Sequence, residues 1–223
     1  MARRSGVFVT GTDTSVGKTV VSAALLCRYR RQAAFRYWKP IQTGIEQDDD
    51  TADVRRLAGC GEREVLAEGV RLPDPVSPHL AARRSGADIN LDRLMAIIDA
   101  QPVADRWIVE GAGGVLVPLN GSELMIDLMV RLGLPSIVVS RSGLGTINHT
   151  LLTLQALRAR SILVAGVVMV GPPDGENRLA IERYGRTTVL AELPPIEPLA
   201  PAALERWADT SFDPGGRILE CLG

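Results

Sequence analysis

Short apolar segments alternate with amphipathic ones along the whole chain. Six of the apolar segments have the length of β-strands and are rich in Val, Ile, Leu or aromatic residues: 6–10, 34–39, 106–110, 135–140, 163–170 and 188–191. Most of them are continuously apolar rather than alternating, which is typical of strands covered on both faces. The pattern therefore predicts a parallel sheet in the centre of the fold.

The segments between these strands have the spacing of helices. After Asn90, a plausible N-cap, four apolar residues follow at i, i+3, i+4 and i+7: Leu91, Leu94, Met95 and Ile98. Residues 19–30 and a stripe of Ile147, Leu151 and Leu154 predict two further helices, and residues 178–184 and 202–208 two weaker ones. Alternating strands and helices predict an α/β fold with a mostly parallel central sheet and helices on both faces.

Length and composition limit the classes of protein to consider. The 223 residues predict a single domain over residues 1–223, and 25 basic against 26 acidic side chains leave none of the basic excess that nucleic-acid binding usually shows. Three dispersed cysteines and two histidines argue against a disulfide framework or a zinc centre. Because no apolar run reaches the roughly 20 residues of a membrane helix, we expect a cytoplasmic protein that binds small molecules and neither nucleic acid nor a membrane.

The strongest chemical signal lies between the first strand and the first helix. Residues 11–19 read Gly-Thr-Asp-Thr-Ser-Val-Gly-Lys-Thr. A loop of this kind between strand and helix is a phosphate-binding loop (P-loop), in which Lys18 reaches the terminal phosphates and Thr19 offers its hydroxyl to Mg²⁺. Five residues, rather than the usual four, separate Gly11 from Gly17. The loop predicts a nucleoside triphosphate and Mg²⁺ as ligands.

Together with further motifs, this loop gives the sequence a resemblance to the dethiobiotin synthetase family. Trp-Lys-Pro-Ile-Gln-Thr-Gly follows at residues 38–44, Ser-Pro-His at 77–79, Val-Glu-Gly-Ala-Gly-Gly at 109–114 and Gly-Leu-Gly-Thr-Ile-Asn-His-Thr at 143–150. The resemblance implies ATP-dependent carboxylation of 7,8-diaminononanoate by carbon dioxide, and ring closure through a carbamate and a carbamic-phosphoric anhydride, with release of ADP and phosphate. It also implies a homodimer.

The resemblance assigns roles to individual residues. Lys18 and Lys39 are expected to be catalytic, and Thr43, Gly145 and Asn148 to contact the substrate. The 143–148 segment precedes a helix, and its backbone N–H groups are expected to receive the distal carboxylate of the substrate, either within the chain or across a dimer interface. The expected nucleotide contacts are Thr14, Ser15, Val16, Gly17, Lys18, Thr19, Val20, Asp53, Glu110, Gly111, Ala112, Gly113, Leu193, Pro194 and Pro195. The expected metal ligands are Thr19, Asp53 and Glu110. Glu110 also stands out unaided, because a strand-end carboxylate lies at the edge of the sheet where α/β proteins bind ligands.

The sequence departs from the family pattern at two places. Ser15 stands where the family often has Glu, so a contact made by that carboxylate is missing. Val170 and Gly171 stand where it often has Asn-Asp, of which the Asn reads the adenine edge. Since an amide that pairs with a base gives strong discrimination, we expect weaker selectivity for adenine, or recognition of the base by the backbone of residues 193–195.

Two other classes share parts of this pattern. Enzymes similar to cobyrinic acid amide synthetases have the same P-loop core and strand-end acid, but they usually carry an added glutaminase domain, for which the chain has no room. Regulatory ATPases of partition or division-site type usually have a Lys near the start of the P-loop and often a membrane-targeting amphipathic tail. Residues 11–16 contain no Lys, and the proline-rich last fifty residues predict no such helix. The sequence favours the synthetase.

Overall fold

A seven-stranded parallel sheet forms the centre of the computed structural model, which describes residues 4–222. The strands are β1 (Ser5–Gly11), β2 (Phe35–Trp38), β3 (Ile41–Thr43), β4 (Val65–Leu66), β5 (Val70–Leu72), β6 (Arg106–Gly114), β7 (Ser136–Arg141), β8 (Val164–Val170) and β9 (Val189–Leu193). Seven of them follow the order β4-β2-β6-β1-β7-β8-β9, with every neighbouring pair parallel, and β3 and β5 pair separately.

Helices follow most of the strands. They are α1 (Lys18–Tyr29), α2 (Asp50–Ala58), α3 (Pro78–Ser85), α4 (Leu91–Asp99), α5 (Met125–Leu132), α6 (Thr146–Ala159), α7 (Gly175–Gly185), α8 (Pro201–Ser211) and α9 (Arg217–Leu222), with one 3-10 helix, Glu62–Glu64. Among residues 4–222, none of the helices combines the length and the apolar character needed to cross a bilayer.

The predicted α/β architecture is confirmed. All six predicted strands are present, although β6 continues to Gly114 rather than ending at Glu110. The five predicted helices correspond to α1, α4, α6, α7 and α8, and the Asn90 side chain caps α4 by accepting from Arg93 N–H at 3.0 Å. The prediction missed β3, β4, β5, α2, α3, α5 and α9.

Helices cover both faces of the sheet, as predicted. Successive side chains of a strand point to opposite faces, so Val7 and Val9 belong to one apolar core and Phe8 to the other. Side chains of α1, α2, α8 and α9 pack in the first core, and those of α3 to α7 pack in the second. Burial on both faces explains why the strand sequences are continuously apolar.

The order of the strands creates a crevice at one edge of the sheet. From β1 the chain passes to β2, which lies on one side of β1. From β6 it later crosses to β7, which lies on the other side of β1. In open α/β sheets, ligands bind where the strand order changes direction, outside the carboxyl ends of the strands. The P-loop after β1 and the residues that follow β2 therefore meet the carboxyl end of β6 at this crevice.

Candidate active site

A cleft with a volume of about 340 Å³ lies at these carboxyl ends. Its lining consists of Thr14, Ser15, Gly17, Lys18, Thr19, Val20, Lys39, Gln42, Thr43, Asp48, Asp50, Glu110, Ala112 and Gly113. The structure thus brings together, in one cleft, 11 of the 19 site residues that the sequence predicts. Gln42, Asp48 and Asp50 also line the cleft and were not among the predicted site residues.

The P-loop has the backbone geometry of an anion site. Gly17 precedes α1 with a φ of 96°, a left-handed conformation that glycine adopts readily, and a Cβ there would lie 3.0 Å from Val170 Cγ1. Ser15 is also left-handed, with a φ of 53°. Within residues 4–222, no side chain caps the N-terminus of α1. The N–H groups of its first turn lack intrahelical acceptors and are therefore available to phosphate oxygens.

Glu110 is fully buried and lies at the centre of a hydrogen-bonded charge network. Its Oε1 accepts from Lys39 Nζ at 2.8 Å and from Thr19 Oγ1 at 3.2 Å. Its Oε2 accepts from Ser22 Oγ at 2.9 Å and from the Tyr37 hydroxyl at 3.1 Å. Because every oxygen of the carboxylate has donors, the cost of burying its charge is offset.

Lys39 is held between two carboxylates. Trp38 on β2 lies opposite Val109 on β6, so one further residue along each chain brings Lys39 beside Glu110. Its Nζ lies 2.6 Å from Asp50 Oδ2 and 2.8 Å from Glu110 Oε1. Burial alone would lower the pKa of Lys39, but the charges of Glu110 and Asp50 outweigh burial and raise that pKa. Lys39 is therefore a protonated cation at neutral pH.

Lys18 is buried without a carboxylate of its own. Its Nζ donates to the backbone carbonyl of Asp13 at 3.2 Å, and no carboxylate in the described part of the chain forms an ion pair with it. Burial lowers the pKa of Lys18, and the positive charge of Lys39 lowers it further by a smaller amount. Since a buried cation is stabilised by an anion, an anionic ligand in the cleft would pair with Lys18.

Asp50, rather than the expected Asp53, lines the cleft. Asp50 Oδ1 accepts from Thr19 Oγ1 at 2.6 Å. Burial alone would raise the pKa of Asp50, but the pairing with Lys39 outweighs burial and lowers it. The Asp53 side chain is 40% exposed, lies outside the cleft lining and pairs with Arg56 at 2.7 Å. Asp49 is the N-cap of α2, so Asp50 begins the helix inside the cleft and Asp53 lies one turn later at the surface.

Three side-chain oxygens that could bind a metal ion lie together in the cleft. Thr19 Oγ1 lies 2.6 Å from Asp50 Oδ1 and 3.2 Å from Glu110 Oε1. Mg²⁺ is usually bound through one or two carboxylates together with substrate phosphates and water. No group of three or more His, Cys, Asp or Glu residues within residues 4–222 is arranged to hold a metal ion. The donor set therefore fits Mg²⁺ accompanied by phosphate oxygens.

The other predicted residues take different places. Thr43, Val20, Ala112 and Gly113 line the cleft, Val16 is buried and lies outside the lining, and the Gly111 carbonyl accepts from Lys39 Nζ at 3.2 Å. Leu193, Pro194 and Pro195 lie at the end of β9, outside the lining, and the Leu193 side chain is buried. Gly145 and Asn148 are exposed at the start of α6 and also lie outside the lining.

The carboxyl end of β8 is apolar where the family pattern often has an amide. Val170 packs against Gly17, and Gly171 N–H donates to the Leu193 carbonyl at 2.9 Å. The amide of Asn177, on the helix that follows, donates to the Ser142 carbonyl at 2.8 Å and to Asp174 Oδ2 at 2.9 Å. The Asn177 amide nitrogen is therefore already used within the protein.

Sequence reasoning missed Ser22 and Tyr37, both of which contact Glu110. Ser22 follows Lys18 by four residues and so lies on the same face of α1. Tyr37 precedes Lys39 by two residues, which places both side chains on one side of the extended chain. These two spacings are the signal that would have found them.

Comparisons with known proteins identify the family of this chain. The protein family described as "AAA domain" matches residues 5–203. The ATP-dependent dethiobiotin synthetase BioD of Paramagnetospirillum magneticum is 52% identical over 200 residues, covering 89% of this chain and 92% of the relative. The BioD of Brucella ovis is 43% identical over 200 residues, covering 90% and 91%.

A solved structure of a ParA family ATPase from Chlorobium tepidum has a TM-score of 0.55 at 10% identity, and covers 92% of this chain and 98% of that one. Identity this low shows a shared fold alone, so the regulatory-ATPase alternative gains only a common architecture. Identities of 43–52% over nearly the whole chain show the family directly. The chain belongs to the dethiobiotin synthetase family.

Proposed function

We propose that this protein is an ATP-dependent dethiobiotin synthetase. It would carboxylate 7,8-diaminononanoate with carbon dioxide to a carbamate, phosphorylate the carbamate with ATP to a carbamic-phosphoric anhydride, and close the ring with release of ADP and phosphate. The observation that carries this proposal is Lys39, a buried cation between Asp50 and Glu110 at the open N-terminus of the P-loop helix.

The two lysines suit the main difficulty of this reaction. The carbamate and the γ-phosphoryl group are both anions and must approach within bonding distance. Lys18, which has no carboxylate partner, would neutralise the phosphates. Lys39 would move away from Asp50 and Glu110, and its ammonium group would then lie between the two anions. Phosphoryl transfer depends mainly on positioning and charge stabilisation, and one such donor commonly contributes about 3 kcal/mol to lowering the barrier.

Mg²⁺ is the proposed metal, and Thr19, Asp50 and Glu110 are its proposed ligands. When bound, it would neutralise charge on the phosphates of the nucleotide. Hard oxygen donors at a helix N-terminus support this choice, because Mg²⁺ in nucleotide sites is held by few protein ligands and several phosphate or water oxygens. Asp50 replaces Asp53 in this proposal on the basis of its contact with Thr19.

The substrate is proposed to extend from the cleft to a second subunit. Thr43 would contact its reacting end, while Gly145 and Asn148 of a partner subunit would receive the distal carboxylate at the N-terminus of α6. A second groove of about 290 Å³ shares Thr14 with the cleft lining. Three large apolar side chains at this groove or on the loop before α6 are exposed: Leu116, Leu144 and Leu152. Exposed apolar surface of this kind supports a homodimer contact.

We further propose that residues 1–223 form one domain and that the protein acts in the cytoplasm, where ATP is available. We propose small molecules as its ligands, and neither a nucleic acid nor a membrane as a partner.

The deciding experiment is a test of product formation. Purified protein is incubated with 7,8-diaminononanoate, labelled bicarbonate, ATP and Mg²⁺, and labelled dethiobiotin is measured by mass spectrometry together with phosphate release. We expect label in the product, and a loss of about a hundredfold or more in Lys39→Ala, which lacks the cation between the two anions. Nucleotide binding is measured in both proteins. Absence of labelled product from protein that binds ATP would refute the assignment.

A further inference from the structure

The two oxygens of Glu110 have separate surroundings. Oε1 is bonded by Lys39 and Thr19, which both line the cleft. Oε2 is bonded by Ser22 and Tyr37, which lie behind the cleft in the protein interior. Because a carboxylate rotates readily about its terminal bond, its own chain does not determine the orientation of its plane. The donors on its two sides do, and Ser22 and Tyr37 are the ones that hold it from behind the cleft.

The donor that serves Glu110 alone is Tyr37. Ser22 Oγ lies 2.9 Å from the Lys18 carbonyl as well as 2.9 Å from Glu110 Oε2, so its single proton is shared between two acceptors. The Tyr37 hydroxyl has Glu110 as its one hydrogen-bond partner among the described residues. Its ring is fully buried in the core on the α1 side of the sheet, which fixes the direction of the hydroxyl and excludes water as a substitute donor.

We propose that Tyr37 is a positioning residue: its hydroxyl holds Oε2 of Glu110 so that Oε1 points to the place where the oxygens of Thr19 and Asp50 meet. This inference rests on the proposed function, in which Glu110 is a Mg²⁺ ligand. Groups that orient a metal ligand without touching the metal typically change metal affinity or activity by about 10–100-fold.

The test compares two matched substitutions, Tyr37→Phe and Tyr29→Phe. Tyr29 is also a buried tyrosine that donates to a buried carboxylate, Asp213, at 2.5 Å, but it lies away from the cleft. Mn²⁺, a paramagnetic substitute for Mg²⁺, is titrated against each protein in the presence of ADP and followed by electron paramagnetic resonance, with thermal unfolding measured in parallel. We expect Tyr37→Phe to weaken Mn²⁺ binding by about tenfold or more, and Tyr29→Phe to leave it within about twofold.

A merely structural role for Tyr37 would lower thermal stability in both variants and leave Mn²⁺ affinity alike in the two. Unchanged Mn²⁺ affinity in Tyr37→Phe, or an equal loss in Tyr29→Phe, would overturn the inference.

Should Tyr37→Phe fail to fold, Ser22→Ala tests the same carboxylate. Tyr37 still holds Oε2 in that variant, so Mn²⁺ affinity is expected to fall by no more than about threefold, and a loss of tenfold would overturn the assignment to Tyr37.

The experiment separates this inference from the proposed function. If Tyr37→Phe weakens Mn²⁺ binding but the unsubstituted protein makes no dethiobiotin, the inference stands and the function fails. If dethiobiotin is made but Tyr37→Phe binds Mn²⁺ normally, the inference fails and the function stands. An unsubstituted protein that binds ADP but no Mn²⁺ overturns both this inference and the proposed metal site.

Discussion

The two lysines of the cleft carry the same charge but are held in opposite ways. Lys39 is paired with Asp50 and Glu110, and its pKa is raised, whereas Lys18 has only a backbone carbonyl as partner, and its pKa is lowered. An arriving triphosphate would supply the missing anion for Lys18, while Lys39 would exchange its two carboxylate partners for oxygens of the ligands. Charge placed before the ligand binds needs little reorganisation during reaction.

Asp50 and Asp53 offer a matched pair of substitutions for testing the metal site. Asp50→Asn retains an oxygen near Thr19 but loses the charge that attracts a cation, so the Mg²⁺ concentration for half-maximal turnover is expected to rise by at least about tenfold. Asp53→Asn removes only an exposed pair with Arg56, a type of contact worth about 0–1 kcal/mol, and is expected to change little. Turnover and ADP binding are measured as a function of Mg²⁺ concentration for each of the two variants. A larger effect of Asp53→Asn would restore the original assignment.

Sequence alone separates these residues poorly for a physical reason. Acidic residues at the start of a helix are stabilised by its dipole whether or not they bind a ligand, and four of them occur at positions 48, 49, 50 and 53. Which of them line the cleft depends on where the helix begins, and that is decided by Asp49 accepting from Thr51 and Ala52 N–H. Asp48 and Asp50 line the cleft, and Asp53 does not. The P-loop and Glu110 were predictable because a strand determines the place of each: β1 precedes the P-loop, and β6 contains Glu110.

At the scale of elements, burial on two faces made the central strands predictable. Most of their apolar runs have no polar interruption, and six of the seven central strands were found from this signal. The missed elements are short: β3 and β5 have three residues each, and α3 and α5 have eight each. The α5 sequence, Met-Ile-Asp-Leu-Met-Val-Arg-Leu, is an apolar run whose length and periodicity suit a strand and a helix equally.

The ends of β8 and β9 lead to a prediction about the nucleotide. Val170 offers no hydrogen bond to a base, and Gly171 N–H is bonded to the Leu193 carbonyl. Strong discrimination requires polar groups that a wrong base would leave unpaired. The values of kcat/KM for ATP, CTP and GTP, measured at concentrations below KM, are therefore expected to lie within about tenfold of one another. A large preference for ATP would contradict this.

Two substitutions at one position sharpen that test. Val170→Asn introduces the amide of the family pattern and is expected to shift kcat/KM toward ATP by about tenfold or more. Val170→Thr has a similar shape and a polar atom but no amide, and is the control. An equal shift in both variants would mean that polarity or packing against Gly17, rather than an amide reading the base, determines the preference.

At the scale of the whole molecule, the charged groups at the centre of the cleft are buried in the interior. Glu110 is 0%, Lys39 3% and Lys18 7% exposed, although the formal net charge of the chain is only −1. Anion binding therefore does not require a basic surface, because a few cations in fixed positions with low exposure act more strongly than many in water. The loop before α6 is exposed instead, and the role proposed for it involves a second copy of the chain.

That role predicts complementation between two defective variants. Lys39→Ala lacks the cation within its own cleft, and Asn148→Asp would repel the substrate carboxylate in the cleft of the partner. In a mixed dimer, one site carries both defects and the other carries neither. Random pairing of equal amounts makes half of the dimers mixed, so about a quarter of the unsubstituted activity is expected to return. Activity is measured after the two variants are unfolded and refolded together, and light scattering gives the mass.

Lys18→Ala mixed with Lys39→Ala is the matched control. Both residues line the same cleft of one chain, so every site in the mixed dimer retains one defect and no activity should return. Recovery in this control would mean that subunits exchange more than the loop before α6. A monomeric mass, or no recovery in the mixture of Lys39→Ala and Asn148→Asp when each variant alone is impaired, would exclude a site shared between subunits and place the substrate carboxylate within a single chain.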